Sequence, residues 1–178
     1  PMNRLIQGDV GSGKTIVALL CALIVANSGG QAVLMAPTGI LAEQHYQNLL
    51  KLLEAFTFPE SGLNLTPGNT ALLSGGTSEA EKRRITDALQ SGEIRLVIGT
   101  HAILEDPIQF RNLELAIIDE QHRFGVLQKN SLIAKASAPH VLVMTATPIP
   151  RTLVLSIYGD LEVSILDELP PGRAPIKT

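Results

Sequence analysis

Short apolar runs recur along the chain, each followed by a longer stretch in which apolar and polar positions mix. RLIQ (4–7), AVLMA (32–36), TALLS (70–74), RLVIG (95–99), LELAII (113–118) and HVLVM (140–144) are apolar at successive as well as alternate positions. A strand takes that pattern when helices cover both faces of its sheet. LEVSIL (161–166) offers a further short strand. The mixed stretches predict helices over 13–27, 39–56, 78–90 and 150–158. The third opens with Ser78 and, three positions on, Glu81, the spacing of a capping box. Strands alternating with helices predict an α/β fold, a three-layer open sheet that is mostly parallel.

The most apolar helix, IVALLCALIVA (16–26), is 11 residues long, against the ~20 that cross a bilayer. It reads as a core helix, and no membrane partner is expected; the expected location is the cytoplasm. Its Cys21 is the single cysteine, which excludes a disulfide framework and a cysteine-rich zinc site. A buried, inert thiol is the expectation there.

Charge narrows the partners. With 14 basic and 17 acidic residues the net charge is −3, and aromatic residues make up 3%. Neither a basic duplex-binding face nor a base-stacking platform is written into this composition. A nucleic acid would be held weakly by this chain alone.

Chemistry enters at GDVGSGKT. Gly8, Asp9, Val10, Gly11, Ser12, Gly13, Lys14 and Thr15 fit the phosphate-loop pattern, with an apolar strand before them and an apolar helix after. Glycines let a backbone wrap a phosphate, and the N–H groups at the helix start complement its charge. Lys14 is the candidate for the β- and γ-phosphates and Thr15 for Mg²⁺. LAIIDE places Asp119 and Glu120 at a second strand's carboxyl end, where open α/β sheets bind ligands. Adjacent carboxylates there are costly unless they face a cation or water. Asp119 is the candidate Mg²⁺ ligand and Glu120 the base that deprotonates an attacking water.

Together these features favour nucleoside triphosphate hydrolysis. A freestanding P-loop kinase or a nucleotide-binding switch is the alternative, but no acceptor pocket is visible. LLSGGT (72–77) resembles the signature loop of transporter-type ATPases, yet Gly76 and Asp119 are 43 residues apart with RLVIG between them. A strand ending in a glycine turn is the better reading. Gln121 and His122 follow the acids, and the other histidines (His45, His101, His140) show no ligand spacing. Thr145 and Thr147 bring hydroxyls to another strand end, where they can hydrogen-bond His122 and transmit the state of the nucleotide.

RLIQGDVGSGKT, MAPTGILAEQH, VIGTHAIL, IIDEQHRFG, MTATPIPRT and YGDLEVSILDELPPGR, in this order, resemble the first motor domain of the RecG family, bacterial branched-DNA helicases of superfamily 2. The transcription–repair coupling translocases share several of these stretches but typically read DEEH where this chain has DEQH. The resemblance covers residues 2–178 and implies a RecA-like P-loop NTPase fold, ATP and Mg²⁺ as cofactors, and DNA repair and recombination as the context. It implies catalytic roles for Lys14, Asp119, Glu120 and His122, and coupling roles for Gln121, His122, Thr145 and Thr147. Pro37 and Thr38, then Gly99, Thr100 and His101, would lie along the DNA backbone. Gly39 departs from the pattern, since that family commonly has Glu there, which leaves the start of the 39–56 helix open.

Residues 1–166 form the expected ATP-binding domain, and DELPPGRAPIKT (167–178), with three prolines, the expected connector toward a second motor domain. The chain is expected to be one piece of a longer protein. The resemblance implies that a second motor domain and an N-terminal wedge domain complete it and that branched or duplex DNA is its partner. The isolated piece is expected to be nearly inactive and to bind DNA weakly or not at all.

Overall fold

A computed structural model describes residues 1–55, 65–119, 131–147 and 161–167. The strands are β1 (Asn3–Gly8), β2 (Gln31–Met35), β3 (Thr70–Leu73), β4 (Leu96–Gly99), β5 (Leu113–Asp119), β6 (His140–Thr145) and β7 (Glu162–Leu166). Among the described residues, three helices alternate with the earlier strands: α1 (Lys14–Asn27), α2 (Gly39–Ala55) and α3 (Glu79–Ser91). The seven strands form one sheet in the order β3-β4-β2-β5-β6-β1-β7, every neighbouring pair parallel. The fold is the RecA-like α/β arrangement expected from the sequence.

The apolar runs explain the layers. Along β2, alternate residues face opposite ways: Ala32 and Leu34 pack with α1 and α2, while Val33 and Met35 pack with α3. β5 repeats this, with Leu115 and Ile117 on the first face and Ala116 and Ile118 on the second. Burying a leucine such as Leu34 or Leu19 in these layers stabilises the fold by about 2 kcal/mol. Farther along the sheet, Leu5, Val141, Val143 and Leu161 form a smaller cluster around β1 and β6.

The helix starts follow local chemistry. Ser78 caps α3, its hydroxyl accepting the Glu81 N–H at 3.3 Å, half of the expected capping box. Such a cap contributes about 1 kcal/mol. α2 begins at Gly39, so the departure there from the family pattern leaves the helix start where expected. Cys21 is half-buried rather than fully buried, because it lies on the flank of α1 beside the core stripe Ala18, Leu19, Ala22 and Leu23. Burial still pushes its thiol up from its ordinary pKa, consistent with low reactivity. Among the described residues no helix is long and apolar enough to cross a membrane. The expected helix over 150–158 lies outside the described residues.

Two short 3-10 turns, Pro67–Asn69 and His101–Leu104, were not legible from periodicity, which needs more than one turn to register. The LLSGGT stretch is β3 followed by a tight turn, in which the Thr77 hydroxyl accepts the Ser74 N–H at 3.0 Å.

Candidate nucleotide site at the carboxyl edge of the sheet

Parallel strands bring all their carboxyl ends to one edge, and the sheet order decides which residues meet there. β1, β6 and β5 are consecutive neighbours, with Gln7 level with Thr145 and Asp119 level with Met144. The phosphate loop leaving β1, the threonines leaving β6 and the aspartate ending β5 therefore occupy one half of the edge. On the far side of β5, β2 and β4 deliver Pro37–Thr38 and Gly99–Thr100–His101.

The loop has the geometry a phosphate requires. Gly11 and Gly13 take φ of 84° and 94°, left-handed values that side chains with a Cβ disfavour. The Ser12 N–H donates to the Asp9 carbonyl at 3.1 Å, closing the turn. Gly13 is the N-cap of α1 and makes no side-chain cap, leaving the first-turn N–H groups to an outside acceptor. A Cβ built on Gly13 would meet nothing within 4 Å, and the buried Ser12 hydroxyl has no partner among the described residues. Open space, an orphaned hydroxyl and uncapped donors fit a phosphate group. The Lys14 ammonium donates to the Gly8 and Asp9 carbonyls, both at 2.7 Å, so the charge lies against the loop itself. Thr15 follows in the first turn of α1.

Asp119 is 8% exposed. Besides the cation or water that the sequence leads one to expect, it has a protein partner: Asp119 Oδ2 lies 2.6 Å from Nε2 of His45, itself 7% exposed. With its proton on Nε2 the imidazole donates to that oxygen, meeting part of the desolvation cost of the acid. Among the described residues Oδ1 has no hydrogen-bond partner. No group of three or more His, Cys, Asp or Glu side chains that could hold a metal occurs among the described residues. Mg²⁺ seldom needs such a cage, taking one or two carboxylates together with phosphate oxygens and water. The donor set of Thr15 and Asp119 therefore fits Mg²⁺ beside a bound triphosphate.

His45 is the residue that sequence reasoning missed. Its separation from Asp119, 74 residues, carries no motif. The available signal was its position on the buried stripe of α2, with Ala42, Leu49 and Leu53. A histidine among apolar positions of an amphipathic helix requires a polar partner inside the fold.

The Thr145 and Thr147 hydroxyls lie 3.0 Å apart, and Thr147 N–H donates to Thr145 Oγ1 at 3.2 Å. Thr145 is fully buried. Glu120, Gln121 and His122 lie outside the described residues, and with them the expected bond between His122 and these hydroxyls.

The other half of the edge is laced together by backbone. Leu73 C=O accepts the Thr100 N–H at 3.1 Å, and Gly99 C=O accepts the Ala36 N–H at 2.8 Å. A Cβ on Gly99 would stand 1.9 Å from the Leu73 oxygen, so only glycine allows this approach. Thr38 is exposed and starts α2, accepting the Leu41 N–H on its hydroxyl at 3.3 Å and the Ala42 N–H on its carbonyl at 3.0 Å. Thr100 is buried, its hydroxyl without a partner among the described residues, while His101 is exposed.

Known proteins share much of the sequence and the fold. The chain is 54% identical over 178 residues to the ATP-dependent DNA helicase RecG of Synechocystis sp., covering 100% of this chain and 20% of that protein. It is 52% identical over 180 residues to RecG of Aquifex aeolicus, covering 100% of this chain and 22% of the relative. The chain thus spans about a fifth of the length of these curated relatives. A solved structure of RecG bound to a three-way DNA junction superposes with a TM-score of 0.77 at 46% identity, over 99% of this chain and 22% of that one. The sequence pattern that defines DEAD/DEAH box helicases matches residues 2–155, from the first strand past the threonines after β6. On that match, the chain belongs to the DEAD/DEAH box helicase family.

Proposed function

We propose that this chain is the ATP-binding motor domain of an ATP-dependent DNA helicase that remodels branched DNA such as stalled forks and Holliday junctions. The observation that carries the reading is its 46% identity, over 99% of its length, to RecG bound to a three-way DNA junction. The carboxyl edge supplies the chemistry. The uncapped start of α1 and Lys14 bind the triphosphate, with Gly8 to Thr15 as its cradle. Thr15 and Asp119 would hold Mg²⁺, which would supply charge neutralisation for the bound triphosphate. Glu120 orients the attacking water and takes its proton. Gln121, His122, Thr145 and Thr147 pass the state of the nucleotide to the rest of the motor.

Pro37, Thr38, Gly99, Thr100 and His101 follow the DNA backbone on the other half of the edge. A second motor domain closes over ATP and brings an arginine, a contribution commonly worth about 10³–10⁵ in rate. A wedge domain splits the duplex. The isolated domain consequently has little turnover and weak DNA affinity. The test is ATP turnover by the full-length protein with and without a three-way junction. Strong stimulation by the junction is expected; turnover indifferent to DNA would sink the assignment.

A further inference from the structure

Among the described residues, Asp119 has one oxygen engaged, and the group that engages it comes from a different element. His45 projects from the buried face of α2, two turns beyond Thr38, and its Nε2 meets Asp119 Oδ2 at 2.6 Å with both residues buried. The other buried residues of α2, Ala42, Leu49 and Leu53, belong to the core cluster under β2 and β5, so His45 lies on the helix face turned to the core. Nδ1 is buried and has no partner among the described residues. The hydrogen-bonding capacity of the ring within the described residues is therefore directed at Asp119.

We propose that His45 is a positioning residue for the cation. It fixes the Asp119 carboxylate through Oδ2, so that Oδ1 is the oxygen offered to Mg²⁺ or to one of its waters. This rests on the reading of Asp119 as the acid that holds Mg²⁺. Fixing a ligating carboxylate by a donor behind it raises metal affinity because the rotamer is selected before the metal arrives. Without the donor, the acid is buried with an unmet oxygen and is free to turn. The bond also ties the sheet's central strand to the helix that begins at the DNA-facing end of β2.

The test uses the full-length protein and reads metal binding apart from catalysis. His45→Leu keeps the bulk and removes the donor, whereas His45→Gln places an amide N–H near the position of Nε2. Mn²⁺ binding in the presence of a non-hydrolysable ATP analogue is followed by the electron paramagnetic resonance signal of free Mn²⁺. Metal-free binding of a fluorescent ATP analogue and the thermal midpoint check that the fold and phosphate loop persist.

The Leu variant should weaken Mn²⁺ binding about 10-fold or more, with metal-free nucleotide affinity unchanged and the Gln variant near wild type. Wild-type Mn²⁺ affinity in the Leu variant overturns the proposal, as does equal damage in both variants, which would make shape and not the hydrogen bond responsible. Asp119→Asn separates the two claims. If it leaves Mn²⁺ affinity intact, the assignment of Asp119 to the metal fails. If it abolishes binding while His45→Leu does not, the role of His45 alone fails.

Discussion

The two halves of the sheet's carboxyl edge are built from different materials. Where β1, β6 and β5 end, the chain places a cation at Lys14, buried hydroxyls, a buried carboxylate and two left-handed glycines. Where β4 and β2 end, it places neutral groups, Pro37, Thr38, Gly99 and Thr100, with His101 alone bearing a titratable side chain. The first half is specialised for a small, highly charged ligand whose atoms sit in fixed places. In the function proposed here, the second meets a repeating backbone with small neutral groups, which give position without much affinity. That matches a net charge of −3, since strong electrostatic capture of DNA comes from many lysines and arginines.

The difference predicts which substitutions affect which property. The largest effect belongs to the phosphate half. In the full-length protein, Lys14→Ala should lower ATP turnover by about 10²–10³-fold or more with the circular dichroism spectrum unchanged; near-wild-type turnover contradicts the site. Glu120→Gln should lower turnover on the order of 10²-fold while ATP affinity is retained. Lost affinity with little loss of rate would make Glu120 a structural ligand instead.

A smaller effect, of another kind, belongs to the polynucleotide half. Gly99→Ala forces a Cβ against the Leu73 carbonyl, at a cost of about 1–3 kcal/mol. The thermal midpoint should fall and stimulation by DNA should fall with it, while ATP affinity changes little. An unchanged midpoint would mean that β3 and β4 are less tightly joined than they look. The smallest effect lies within the phosphate half, at the end of β6. Thr145→Ala combined with Thr147→Ala removes a hydroxyl pair at the end of β6, the strand paired with the one that ends in Asp119. ATP should still be consumed, but more of it per junction resolved; a strictly proportional fall in both activities would reduce these threonines to structural support.

The phosphate half was legible in the sequence because its chemistry is contiguous. GDVGSGKT is a strand end, a turn and a helix start within eight residues, and the geometry at Gly13 and Lys14 matches what those types require. Six strands were legible as runs apolar on both faces, as strands covered by helices must be; β7, an edge strand exposed or half-buried along its length, gave only the weaker signal of LEVSIL. The strand order was not. β5 pairs with β2 and β6 although the chain visits β3 and β4 between β2 and β5, and no local pattern encodes that crossover. The His45–Asp119 contact was hidden for the same reason, because it exists only once β2 and β5 are neighbours. The roles of Pro37, Thr38 and Thr100 came from family resemblance alone, as neutral strand ends carry no chemical signature.

If the two halves work as one device, occupancy of one must change the affinity of the other. The direct measurement is the dissociation constant of a non-hydrolysable ATP analogue with Mg²⁺ for the full-length protein, with and without a saturating three-way junction. Linkage between functional sites is typically worth about 5–150-fold. The account predicts a junction-dependent change of at least about 5-fold, matched by an equal change in junction affinity when the analogue is bound, and reduced in His45→Leu. Identical analogue affinity with and without the junction would contradict it.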